Sequence, residues 1–95
     1  MEPAAFLLEL RRRLVVEQPA HPLAAALAFL DAHRDTAEAQ GLRRVIVTIA
    51  TGQGVLADSD LWLFSQVTTA IAAGLIEARL EGRYSEDEWQ RACSL

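Results

Sequence analysis

The chain has 95 residues, 52% of them hydrophobic and 23% charged, with a formal net charge of −4. That length accommodates one hydrophobic core, and the high apolar share excludes a disordered chain. A pI near 5.0 opposes generic binding to nucleic acid or to an anionic membrane, leaving proteins or neutral ligands as partners.

Residues 3–17 read as the first helix. Pro3 suits a first helical turn, and Phe6, Leu7, Leu10 and Leu14 recur at three- and four-residue spacing. The stretch "QPAHP" then interrupts it, because Pro19 and Pro22 both disfavour α conformation in the residue before them. A second helix is expected over 22–40, with Leu23, Leu27 and Leu30 as its stripe and Gly41 as its stop.

The segment 42–51 can be read two ways. Val45, Ile46, Val47, Thr48 and Ile49 favour a strand by propensity, whereas Leu42, Val45, Ile46 and Ile49 follow the spacing of a helix face. No second strand-like run exists to pair with it, so a short helix is expected. The alternative is a strand at 45–49 paired with its copy in a homodimer.

The fourth helix is expected over 59–81, apolar almost all round and therefore the most buried element, ending at Gly82. The last start is the best defined. In "YSEDEW", Ser85 and Glu88 have capping-box spacing, and Tyr84 and Trp89 occupy the staple positions of a helix over 86–94. The fold class expected is all-α, a small four- to five-helix bundle forming a single helical domain over 1–95.

Four features bear on chemistry. The first is Gly52-x-Gly54-x-x-Ala57, a match to the dinucleotide-binding string. Such a site needs a strand before it, a second parallel strand and an acid about 20 residues on. Glu77 stands at that distance but inside a helix, and Asp58 and Asp60 would repel a pyrophosphate. A turn with Asp58 or Ser59 starting the next helix is the plainer reading.

The second is "RRR" at 11–13. Three consecutive helical residues fan around the helix instead of forming one patch, and nearby Glu9 and Glu17 offer ion pairs. A helix-turn-helix built from the last two helices would present "SEDEW" to phosphates. No nucleic-acid partner is expected.

The third is the set of His21, His33 and Cys93, which has no metal-ligand spacing and no triad partners. No metal, cofactor or catalytic residue is expected, and therefore no enzyme. The longest charge-free stretch, 61–76, falls short of the ~20 apolar residues of a membrane span. The N-terminus places acid before the apolar residues and arginine after them, opposite to a secretory leader. A lone cysteine suits a reducing compartment, so a cytoplasmic protein is expected. All nine basic residues are Arg, and neither Lys nor Asn occurs. Codons for both missing residues are A-rich, which suggests a GC-rich bacterial genome.

The fourth feature is an uncharged helix back. If Leu61, Phe64, Thr68 and Ile71 face the core, Trp62, Ser65, Gln66, Thr69 and Ala73 share the other side. This offers an aromatic anchor beside adaptable polar groups, as protein interfaces do, with Trp62, Gln66, Thr69 and Ala73 as candidate partner-binding residues. Ala70 and Gly74 would let another helix approach closely. The competing account packs this face against the chain's own first helix. The function expected is a small helical protein–protein interaction module (an adaptor, chaperone or inhibitor) that forms a homodimer. The alternative is a small-ligand or nucleotide-binding domain using the Gly52–Gly54 loop.

Overall fold

Two prolines and three helix caps set the ladder of this chain. In the computed structural model, which describes residues 2–94, six helices follow one another and no strand occurs among those residues: α1 Pro3–Arg13, α2 Pro22–Ala32, α3 Ala37–Thr51, α4 Asp58–Leu61, α5 Gln66–Glu81 and α6 Glu86–Cys93. Pro3 and Pro22 open α1 and α2, where a missing N–H costs nothing. Residues 45–49 are helical, and the dimer-paired strand is set aside. Val45, Ile46 and Ile49 all enter the core from one helix face, which satisfies their side chains and their backbone together.

The boundaries depart from the sequence reading at three places, and each departure has a tertiary cause. Helix α1 stops at Arg13 rather than 17, because the side-chain amide of Gln66 takes over its end. Gln66 Nε2 donates to the Arg13 carbonyl at 2.7 Å, and its Oε1 accepts from the Val15 N–H at 2.8 Å. Leu14 is then free to turn into extended conformation.

Helix α2 ends at Ala32, and α3 begins at Ala37, so Gly41 is no stop signal. Thr36 is the new N-cap: its hydroxyl accepts from the Ala39 N–H at 3.1 Å and donates to the His33 carbonyl at 2.9 Å. Gly41 lies buried within α3. A Cβ there would sit 3.2 Å from Phe64 Cε1 and 3.4 Å from Leu63 Cδ1. The missing side chain admits the α4–α5 corner.

The helix expected over 59–81 is two helices with residues 62–65 between them. Asp60, buried, receives Arg44 of α3 through Nη2 at 2.5 Å and Nε at 3.3 Å, which pins α4 to α3. Ser65 caps α5 by backbone geometry alone, and Glu38 of α3 supplies the missing acceptor. The Glu38 carboxylate takes the Ser65 N–H at 2.6 Å and also the Thr68 hydroxyl.

Helix α5 is the central element, buried from Thr68 to Ile76 and packed by α1, α2 and α3. Helix α6 docks on α3, with Trp89 fully buried and Tyr84 edge-on to it at 5.6 Å. The Ser85–Glu88 capping box forms as its spacing implies, and Gly82 ends α5 in left-handed conformation. One contiguous core joins Phe6, Leu10, Leu42, Ile46, Leu75, Ile76 and Trp89.

Candidate functional site

The break at 62–65 decides what the chain presents outward. Trp62 lies in the link, not on α5, so the period of α5 does not control its direction. It is 75% exposed, while Thr69 and Ala73, expected beside it, are buried in the core. Neither is a surface residue. Helix α5 packs against α1, α2 and α3, and the side expected to face a partner is buried within the chain. Gly74, expected to admit another helix, admits Pro22 at the start of α2: a Cβ on Gly74 would fall 2.9 Å from the Pro22 Cβ. Gln66 is half-buried and spends its amide on the end of α1.

Trp62 instead acquires new neighbours. The Arg13 guanidinium lies 4.3 Å from the centre of its ring, a cation–π contact that holds the indole at the surface. The Gln66 clasp brings in Val15, 83% exposed, and Val67 follows it at 58%. Trp62 has right-handed helical backbone and stands one turn after the exposed Asp58, so the two share a side of α4. The face is thus an aromatic ring and two valines, with a cation stacked on the ring and a carboxylate one turn away. Helical periodicity could not reveal it, because it is assembled from α1, α4 and the start of α5. The one sequence signal for the break was Ser65, a residue type that favours N-caps.

The "RRR" run divides three ways. Arg11 pairs with Glu77, Arg12 with Glu9, and Arg13 stacks on Trp62. Burial pushes the carboxyl of Glu77 upward, but hydrogen bonds from Arg11 and Gln18 outweigh it, and its pKa is lowered. Glu38 behaves alike: burial raises it, and the bonds from Ser65 and Thr68 bring it below the ordinary value. His33 caps α2 with its ring 4.4 Å from Phe29, and His21 precedes α2. Among the described residues no group of three or more His, Cys, Asp or Glu could hold a metal ion, and no helix is long and apolar enough to cross a membrane.

At the Gly52–Gly54 loop the strand that a dinucleotide site requires is absent. Gly52 caps α3 in left-handed conformation, its N–H donating to the Thr48 carbonyl at 2.9 Å. The following α4 has four residues and carries Asp58 and Asp60 in its first turn. Beside the loop a cavity of about 440 Å³ is lined by polar and apolar groups of α3 and of the loop. Comparison with family models, characterised proteins and solved structures finds no match for this chain.

Proposed function

We propose that this chain is a small helical protein–protein interaction module whose contact face is centred on Trp62 and whose first partner is a second copy of itself. The observation that carries this reading is the 75% exposure of Trp62, held on the outside by Arg13 and flanked by exposed Val15 and Val67. Three elements meet in a way that leaves these apolar groups in water. Trp and Arg are the residues that most often dominate interface energetics.

Charge favours a second copy. Arg13 stacks on the Trp62 ring, and the exposed Asp58 stands one helical turn before Trp62. A two-fold axis through Trp62 would set Arg13 of each copy against Asp58 of the other, as an isologous contact requires. A stable dimer buries about 800 Å² on each partner, so this face would form the centre of the contact rather than its whole extent.

Sedimentation equilibrium from micromolar to about 1 mM tests the reading. The mass should rise from 10.4 kDa toward twice that value. Trp62→Ala should remain monomeric with an unchanged melting temperature. Asp58→Arg should weaken the dimer, and Asp58→Arg combined with Arg13→Asp should restore it. A wild-type chain that stays monomeric throughout would refute self-association.

A further inference from the structure

Resting on the Trp62 face as the contact surface, we propose that α3 latches this face in place and that protonation of Glu38 opens the latch. Glu38, Gly41 and Arg44 stand three residues apart in a row along α3, and each holds one point of the corner between α4 and α5. The Glu38 carboxylate accepts from the Ser65 N–H at 2.6 Å and from the Thr68 hydroxyl. Gly41 leaves room for Phe64, whose Cε1 would stand 3.2 Å from a Cβ at that position. Arg44 binds the buried Asp60. The corner therefore runs antiparallel to α3, and the exposed Trp62 lies between the two outer points of the grip.

The other side of the corner is fastened to α1. Gln66, next to Ser65, donates to the Arg13 carbonyl and accepts from the Val15 N–H, and the Arg13 guanidinium lies over the Trp62 ring. Adjacent residues at the start of α5 thus bond to different helices, Ser65 to α3 and Gln66 to α1. Arg13 stays over Trp62 only while both bonds fix that first turn. Glu38 is a positioning residue, acting on Trp62 through Ser65 and Gln66, in a chain of direct contacts.

The three points of the grip differ in what can break them. Packing at Gly41 does not titrate, and Asp60 is held by a guanidinium that stays charged. Glu38 forms no ion pair among the described residues. Ser65 and Thr68 are neutral donors, and His33, in the link after α2, favours the ionised carboxylate by its charge. Burial raises the Glu38 pKa, but the bonds from Ser65 and Thr68 outweigh it, and the value is lowered. The closed corner therefore favours the ionised form. Its grip is complete above 4.5 and is lost as pH falls through the lower folded value. A protonated carboxyl accepts more weakly and turns a proton of its own on the same donors.

NMR at a concentration where the mass is 10.4 kDa follows the latch apart from the dimer. A guanidinium 4.3 Å from the Trp62 ring centre puts the Arg13 side-chain protons in the ring current, which displaces them upfield. On titration from about pH 7 to about pH 3.5, that displacement should fall by about half or more below 4.5, while ellipticity at 222 nm is retained. Glu38→Gln should show a reduced displacement at neutral pH and no acid step, and Glu77→Gln should keep the wild-type step. Should Glu38→Gln fail to fold, Thr68→Val removes one donor to the carboxylate and should move the step upward toward 4.5. At neutral pH and dimer-forming concentration, Glu38→Gln should weaken self-association about threefold or more. A wild-type chain that shows the step yet never dimerises supports the latch and refutes self-association alone. A displacement constant down to the onset of global unfolding, or a full acid step in Glu38→Gln, would overturn the latch.

Discussion

Gly74→Ala adds a single methyl group at the one glycine where the chain has no room for it. The new Cβ would stand 2.9 Å from the Pro22 Cβ, and carbon–carbon contacts relax only at roughly 3.5–4.0 Å. The gap of roughly 0.6–1 Å has to come from backbone movement, since the opposing atom belongs to a rigid, buried ring in the first turn of α2. Two terms compete. Alanine in a helix interior gains about 1 kcal/mol over glycine. Overpacking a well-filled core costs about 1–3 kcal/mol. Because Pro22 cannot rotate away, the upper part of that range applies, and the net destabilisation should be about 1–2 kcal/mol. For a domain of this size that lowers the melting temperature by roughly 5–15 °C. Urea denaturation followed at 222 nm measures it. A double-mutant cycle with Pro22→Gly, which removes the opposing Cβ, should show a coupling above about 0.5 kcal/mol. If Gly74→Ala raises the midpoint, or the cycle shows no coupling, the close approach of α5 to the start of α2 is wrong.

Three further outcomes follow from the same geometry. Glu38 and Glu77 have folded-state pKa values below the ordinary 4.5, so their stabilisation is complete above that value and disappears as pH falls through the lower folded ones. The urea midpoint should therefore hold steady down to about pH 5.5 and fall below 4.5, with a flatter acid limb in Glu38→Gln/Glu77→Gln; a midpoint that rises on acidification contradicts this. Asp60→Asn leaves Arg44 without its buried carboxylate and should cost about 1–3 kcal/mol by the same denaturation assay. Ser85→Ala removes the acceptor of the Glu88 N–H and the start of α6, and should cost about 1 kcal/mol, read as earlier loss of near-ultraviolet signal from Trp89.

What was legible in the sequence was whatever depends on neighbours along the chain. Apolar spacing in 42–51 identified a helix against a strong β-propensity, because no partner strand existed to satisfy the backbone. The Ser85–Glu88 box, the Tyr84–Trp89 staple and the stop at Gly82 each involve groups a few residues apart, and each forms. The heavy burial of α5 followed from its uniformly apolar composition.

Features that depend on contacts between distant residues could not be read that way. Gln66 ends α1 from more than fifty residues away, and Glu38 starts α5 from 27 away. Gly41, which looks like a helix stop, is a notch for Phe64. These contacts divide the 59–81 stretch, turn Trp62 outward and bury Thr69 and Ala73, so the surface expected from periodicity is replaced by one built from three elements. The glycine string around residue 54 lost its nucleotide reading in the same manner: a helix precedes it where a strand is required, and Gly52 serves as that helix's left-handed cap. Local propensity determined which segments coil into helices. Where each helix stops, and which side chains remain in water, was decided by hydrogen bonds and close packing that exist only after the chain has closed on itself.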